Sequence, residues 1–143
     1  MMKQALNLIL LVDDDEDDNI YHQYIIKKSG FTKRVQAVYH GREALDYLQK
    51  RGKYSSEGAA EKPDLIFLDI NMPVMNGWEF LEAYNQLDPS LQATSIIVML
   101  TTSINPDDRD KAKQYSGVAQ FLNKPLQQED LERLIKERFP ERF

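Results

Sequence analysis

The sequence predicts an α/β protein in which a parallel, five-stranded sheet is covered by helices on both faces. One observation on the sequence and one general rule about parallel strands support this prediction. Short, uninterrupted apolar runs alternate along the chain with longer amphipathic segments, and such runs are typical of strands that are buried on both faces. Parallel strands need crossover connections, and these connections are right-handed, which places helices on both sides of the sheet.

The apolar runs predict five strands. They cover residues 8–12, 35–39, 65–68, 96–100 and 120–123. The third run is bounded by Pro63-Asp64 and by Asp69, so it ends abruptly in turn chemistry at Pro73 and Asn76-Gly77.

The segments between the strands predict five helices, at 20–28, 41–50, 78–87, 106–115 and 128–139. The first ends at Gly30, the residue type favoured just past a helix end. The fourth begins with Asn105 as cap and Pro106 in the first position, but it has few apolar residues, so we expect it to be loosely held. Residues 52–62 are polar and form a surface loop longer than usual.

Length and composition predict one domain over residues 1–143, with its core at about 8–139 and no output domain after it. The 143 residues include 42% hydrophobic ones, enough for a real core. A net charge of −5 argues against a general nucleic-acid binder. The absence of cysteine excludes disulfides and thiolate metal sites. No apolar run has the length of a membrane span, so we expect a cytoplasmic protein without membrane association.

Five chemically active residues each follow a predicted strand. They are Asp13, Asp14, Asp69, Thr101 and Lys124. Because ligands of such sheets bind at the carboxyl ends of the strands, we expect all five to meet on one rim. Crowded carboxylates disfavour one another's charged form, and a hard divalent cation such as Mg²⁺ would resolve this conflict.

Carboxylate, magnesium, lysine and hydroxyl together are the groups that hold a phosphoryl group during transfer. The chain has no glycine-rich loop that could cradle a nucleotide. The sequence therefore predicts that a partner delivers the phosphoryl group and that a carboxylate of this chain accepts it.

In this order and spacing, Asp13-Asp14, the segment from Asp69 to Gly77, Thr101 and Lys124-Pro125 resemble the receiver domain of two-component response regulators. The resemblance covers essentially residues 8–139 and implies a CheY-like, flavodoxin-like sheet of order 2-1-3-4-5 in a bacterial phosphorelay protein. The chain is also similar to stand-alone regulators that partner phytochrome-type histidine kinases, through its 52–62 loop and its 100–103 segment.

The resemblance implies a role for each matching residue. Asp69 would be the phosphoacceptor, and Mg²⁺ would be bound by Asp14, Asp69, the backbone carbonyl of Asn71 and, through water, Asp13. Thr101 and Lys124 would bind the phosphoryl oxygens, and the peptide bond before Pro125 would be cis. Phe121 occupies the position of the aromatic switch residue, and the residues that tune turnover are Asn71, Thr102 and Ser103.

The implied partners are a histidine kinase or phosphotransfer protein and a downstream protein that the sequence does not name. Phosphorylation would switch the surface of the fourth helix, fifth strand and fifth helix. The same surface could pair in a homodimer, for which residues 131–143 are apolar enough. Such a domain is not an enzyme beyond its own phosphorylation and dephosphorylation.

Three alternatives stay open at this point. A phosphorylation-independent scaffold could keep the same residues. A hydrolase of the phosphoaspartate type would need a second acid at Asn71, and a flavin carrier would need a phosphate loop after the first strand instead of the acidic run 13–18.

Several other residues receive structural interpretations. Residues 15–18 are expected to form a solvated helix start, and His22 and His40 to be surface or half-buried side chains. Phe139 and Phe143, near the end of the last helix, indicate an interaction surface or a fraying terminus.

Overall fold

The computed structural model describes residues 2–55, 62–92 and 96–143. Most of the predicted loop at 52–62 lies outside the described residues. Its start, Gly52–Tyr54, forms a short 3-10 helix.

The predicted fold class is confirmed. Five parallel strands form one sheet in the order β2-β1-β3-β4-β5. Their bounds are β1 Leu6–Val12, β2 Thr32–Val38, β3 Leu65–Leu68, β4 Ile96–Thr101 and β5 Val118–Asn123. Apart from β3, the strands differ from the prediction by up to three residues at an end, since polar residues such as Lys33 and Arg34 can join the ladder of an edge strand.

Six α-helices accompany the sheet within the described residues. They are α1 Glu16–Ser29, α2 Gly41–Gln49, α3 Gly77–Tyr84, α4 Pro89–Gln92, α5 Pro106–Ala112 and α6 Gln128–Arg138. The predicted helix 78–87 is thus a shorter α3 followed by the single turn α4. The predicted fourth and fifth helices correspond to α5 and α6.

Helix α1 begins four residues before its predicted start. Asp15 has extended backbone angles, and its side chain accepts a hydrogen bond from the backbone amide of Asp18. Such a cap satisfies one of the free amides of the first helical turn, and acids there also suit the helix dipole. Helix α1 ends at Gly30, whose φ of 73° is readily adopted by glycine.

The sheet separates two apolar clusters. On one face β1, β3 and β4 pack against α2 and α3, with Phe80 and Tyr47 among the largest buried side chains. On the other face they pack against α1 and α6. Helix α5 contributes only one buried residue, Ala112. It therefore packs loosely on the rest of the protein, as its few apolar residues predict.

The predicted interaction surface at the end of α6 is wrong for Phe139. This residue is buried with Leu131, Leu134 and Ile135 against the sheet. Phe143 is half-buried and packs edge-to-face on Phe31. Four of the apolar side chains in residues 131–143, namely Leu131, Leu134, Ile135 and Phe139, therefore belong to the protein's own core, and pairing of two copies stays a prediction.

The longest helix is α1, with 14 residues. Among the helices of residues 2–55, 62–92 and 96–143, none combines the length and the apolar character needed to cross a membrane.

Candidate functional site

The strand register brings the predicted site residues to one rim of the sheet. Val12 pairs with Leu68, so Asp13 and Asp69 follow neighbouring strand ends. The amide of Asp69 donates to the carbonyl of Val12 at 3.0 Å. On the other side of the site, the amide of Lys124 donates to the carbonyl of Thr101 at 2.9 Å. These backbone hydrogen bonds thus determine where the side chains of Asp69 and Lys124 leave the main chain.

Asp69 is a buried carboxylate with defined partners. It is 8% exposed, and its Oδ1 accepts the backbone amide of Ile70 at 2.8 Å. The loop that follows it is held close because Gly77 donates its amide to the carbonyl of Ile70. A Cβ at position 77 would clash with the carbonyl oxygen of Asp69 and lie 3.0 Å from the Cα of Ile70. Glycine is therefore required there by space.

Lys124 lies at the centre of the acidic site. Its Nζ is 2.5 Å from Asp13 Oδ2, 2.9 Å from Asp18 Oδ2 and 3.2 Å from Asp69 Oδ2. The side chain of Lys124 is only 7% exposed. The peptide bond between Lys124 and Pro125 is cis.

One lysine shared among three carboxylates leaves the site short of positive charge. Burial raises the pKa of the Asp69 carboxyl, Lys124 offsets part of that increase, and the charge of Asp13 adds to it. For Lys124, burial alone would lower the pKa, but hydrogen bonds to Asp13 and Asp18 and the charge of Asp69 raise it above its usual value. The ammonium group therefore stays charged while the carboxylates still lack compensation.

A metal cation fits this arrangement. Asp13, Asp14 and Asp69 each offer a carboxylate oxygen, and these three oxygens lie within 4.8 Å of one another. Asp14 is exposed, whereas the other two are buried, so the cluster opens to solvent on one side. An all-oxygen donor set with an open side suits a hard divalent cation that keeps some of its waters.

Thr101 is buried at the end of β4, beside this cluster in the sheet order. Its Oγ1 accepts the backbone amide of Ser103 at 3.2 Å. The hydroxyl of Ser103 in turn donates to Asp108 in α5 at 2.5 Å. Thr102, between them, is exposed. The segment after β4 therefore connects the buried threonine to the start of α5.

Phe121 lies on β5 and packs against the apolar cluster on the α2 and α3 face of the sheet. It is half-buried, with the Arg109 guanidinium carbon 4.7 Å from its ring centre. Arg109 also donates to Asn123 Oδ1 at 3.4 Å. Asn71, in the loop after β3, is exposed. The structure thus gathers the side chains of Asp13, Asp14, Asp69 and Lys124 in one cluster, with Thr101 beside it. The roles of Phe121 and Asn71 stay predictions.

Two expectations for the first helix are wrong. Asp18 is not simply part of a solvated helix start, because it contacts Lys124 Nζ. His22 is not at the surface: it is 2% exposed, and its Nε2 accepts the backbone amide of Leu126 at 3.2 Å. Burial lowers the pKa of His22, and the charge of Lys124 lowers it further. His40 is half-buried and caps α2 through its Nδ1.

Spacing was the available signal for these residues. Asp18 and His22 are four positions apart, so they lie on the same face of α1. Asn19 is buried on that helix as well, and its side-chain amide donates to the carbonyl of Asp13 at 2.9 Å. The sequence shows this spacing but does not show which face of α1 points toward the site.

Comparison with known proteins agrees with the fold. The sequence profile of the response regulator receiver domain matches residues 9–136. A two-component response regulator from Cytophaga hutchinsonii superposes with a TM-score of 0.81 at 30% identity, over 94% of this chain and 97% of the other. The phosphorylated cyanobacterial phytochrome response regulator RcpA gives a TM-score of 0.74 at 33% identity, over 93% of this chain and 91% of the other.

Response regulator Rcp1 of Synechocystis is also similar. It is 36% identical over 101 residues, which are 71% of this chain and 65% of that protein. Its Mn(2+)-bound form superposes with a TM-score of 0.69 at 31% identity and covers 96% of each chain. With the profile matched over nearly its whole length and the strand-end acids gathered at one rim, the chain belongs to the response regulator receiver domain family of two-component systems.

Proposed function

We propose that this receiver domain accepts a phosphoryl group on Asp69 from a histidine kinase or phosphotransfer protein. In this proposal Mg²⁺ is the cofactor, and the phosphorylated state changes the surface formed by α5, β5 and α6 for partner binding. The stretch 1–143 acts as one receiver domain.

The shared lysine is the observation that carries the proposal. Lys124 Nζ contacts Asp13, Asp18 and Asp69 at once, yet burial and Asp13 still raise the pKa of Asp69. A purely structural salt bridge needs one acid for one lysine, whereas a surplus of buried negative charge is expected where a cation or a reacting group is to be bound.

The carboxylates of Asp14 and Asp69 and the backbone carbonyl of Asn71 would hold Mg²⁺, with Asp13 acting through water. When bound, this ion supplies charge neutralisation for the phosphoryl oxygens and for the attacking carboxylate. A related protein, Rcp1, has a Mn(2+)-bound structure, which supports a divalent cation in the same type of site.

The chemical step is an in-line displacement. A carboxylate oxygen of Asp69 attacks the phosphorus atom of a phosphohistidine on the partner. The new phosphorus–oxygen bond forms as the phosphorus–nitrogen bond breaks, and the departing imidazole nitrogen keeps the electron pair. Lys124 then binds a phosphoryl oxygen, and the Thr101 hydroxyl donates to another.

The change would spread through the contacts after β4. If Thr101 turns toward the phosphoryl group, Ser103 loses the oxygen that its amide now contacts at 3.2 Å. Ser103 is bonded to Asp108, so α5 follows and Arg109 moves relative to Phe121. Helix α5 has one buried residue, which makes its shift inexpensive. Thr102 and Ser103 belong to this segment, Asn71 lies in the loop after Asp69, and all three would tune the phosphoryl lifetime.

Intact mass spectrometry tests the acceptor. Wild type incubated with Mg²⁺ and acetyl phosphate should gain one phosphoryl adduct, and a chelator should prevent it. Asp69→Asn should gain none. The control Asp110→Asn changes a side chain that is 71% exposed and outside the site, and it should react as wild type does.

An adduct on Asp69→Asn equal to that on wild type would contradict the proposal. If wild type gains none, fluoroberyllate binding separates the remaining cases. Binding that requires Asp69 would indicate a competent site closed to small donors, while no binding would favour the phosphorylation-independent scaffold.

The fluorescence of Trp78 tests the switch, since it is the only tryptophan. Its ring stacks on Tyr115, just after α5, at 5.8 Å, and Lys111 of α5 lies over it. Fluoroberyllate with Mg²⁺ should change this signal in wild type. In Lys124→Ala the anion should still bind at saturating concentration, but the fluorescence change should be reduced or absent, because the lysine that couples the bound anion to the conformational change is missing.

A further inference from the structure

His22 has a contact that the phosphoryl chemistry described above does not use. It is buried on α1, and its Nε2 accepts the amide of Leu126 across the boundary between α1 and the loop before α6. Leu126 is itself fully buried, so its amide has no access to solvent in place of this bond. A buried amide without a hydrogen-bond partner destabilises the fold. The Leu126 amide is therefore held at the position where it can donate to His22 Nε2.

The position of this bond relates it to Lys124. Leu126 follows Lys124 by two residues, so a bond at the Leu126 amide limits where the backbone of Lys124 can lie. One turn earlier on the same helix, Asp18 contacts the Lys124 ammonium at 2.9 Å. Helix α1 therefore contacts both the tip of the lysine and the backbone just after it.

His22 also borders the carboxylates. A small cavity of about 10 Å³ lies beneath the site, and its wall includes Asp13, Asn19, His22 and Asp69. An apolar side chain would fill the same place without any hydrogen bond. Packing alone therefore does not require a histidine with its Nε2 aimed at a backbone amide.

We propose that His22 is a positioning residue for Lys124. By accepting the Leu126 amide, it holds residues 124–126 so that the lysine ammonium stays within reach of Asp69. For phosphoryl capture this inference rests on the proposed function of Asp69, but the placement of Lys124 can be measured without phosphorylation.

Three substitutions separate the hydrogen bond from packing. His22→Gln places a carboxamide oxygen about as far from the backbone as Nε2, so it can accept the Leu126 amide. His22→Asn has the same polar group one carbon shorter and cannot reach. His22→Leu keeps an apolar side chain and has no acceptor. All three variants are compared at one temperature, at which urea unfolding curves show that each is fully folded in the absence of urea.

The first measurement is the NMR signal of the Lys124 ammonium protons, which are protected from exchange while they are paired and buried. We expect wild type and His22→Gln to retain this signal, and His22→Asn and His22→Leu to lose it. Retention in all variants would overturn the proposal, whatever the outcome for phosphorylation.

The second measurement is the rate of phosphorylation by acetyl phosphate at saturating Mg²⁺. Loss of a hydrogen bond that orients a group bound directly at a metal site typically lowers activity by about 10- to 100-fold. By analogy, we expect His22→Asn and His22→Leu to be phosphorylated about tenfold more slowly than wild type. His22→Gln should recover most of the rate. A lower stability with an unchanged rate in His22→Asn and His22→Leu would mean a structural role only.

A double-mutant cycle identifies the residue through which His22 acts. In a Lys124→Ala background, His22→Leu should have little further effect on the rate. An equal effect in both backgrounds would refute the link to Lys124. Failure of wild type to gain an adduct would count against the function of Asp69, whereas normal rates in all His22 variants would count only against the role of His22.

Discussion

Removal of the shared lysine should strongly destabilise the metal-free protein. Lys124→Met keeps much of the side-chain volume but removes the charge. Asp13 and Asp69 would then be two buried carboxylates, with side chains 7% and 10% exposed, and no cation between them. Asp18 is less affected, because its side chain is 37% exposed and can turn to solvent.

The expected loss is about 3 kcal/mol of unfolding free energy at pH 7, the lower end for breaking a buried ion pair by removal of one partner. For a domain of this size that corresponds to a fall in Tm of about 10 °C. Because uncompensated negative charge causes the loss, the gap between wild type and variant should narrow as the pH falls and Asp69, whose pKa is raised by burial, becomes protonated.

Urea unfolding followed by circular dichroism, with a chelator present, measures the loss. A ligand at about 100 times its Kd contributes about 2.7 kcal/mol, so Mg²⁺ should then restore stability. The gain should be larger in the variant, because its carboxylates have no lysine to compensate their charge. Lys113→Met is the matched control. Its side chain is 73% exposed and its nearest acid is 3.9 Å away, so a change under about 0.5 kcal/mol is expected.

Equal stability of Lys124→Met and wild type at pH 7 without metal would refute this reasoning. So would a gap that stays constant down to pH of about 3, since protonated carboxyls would no longer need the lysine.

Three further predictions concern stability, each measured by urea unfolding. Burial alone would raise the pKa of Glu43, but hydrogen bonds to its carboxylate lower it; this contribution is present above the unfolded pKa and lost as pH falls through the folded pKa. Glu43→Gln should therefore cost about 1 kcal/mol at pH 7 and little in acid. Gly77→Ala should cost about 2 kcal/mol because its Cβ meets backbone, whereas Gly117→Ala, with its nearest atom at 4.0 Å, should be close to neutral. Phe80→Ala should cost about 4 kcal/mol, and the half-exposed Tyr24→Ala much less; equal losses would contradict the assigned core.

The strands of the core could be read directly from the sequence. Leu65–Leu68 was predicted without error because a fully buried strand is a continuous apolar run bounded by turn residues. The edge strand β2 begins three residues before its predicted start, since its exposed side carries polar residues that leave no such run. Helix α1 also begins before its predicted start, because the acids of its cap and first turn are equally typical of a loop.

The sequence by itself determined the fold class and the rim on which Asp13, Asp14, Asp69, Thr101 and Lys124 lie. This follows because the carboxyl ends of parallel strands all lie at the same edge of the sheet, so the residue after each strand also lies at that edge. Chain order was therefore enough to assemble the cluster.

Only the tertiary structure decided which other side chains face that cluster. Helical spacing places Asp18 and His22 on one face of α1, but the rotation of α1 is set by its packing against the sheet and α6 through residues such as Ile26. Phe139 shows the same limit, since an apolar residue near a terminus can pack inward or outward. Side-chain periodicity defines a face, and only contacts between distant parts of the chain determine what that face meets.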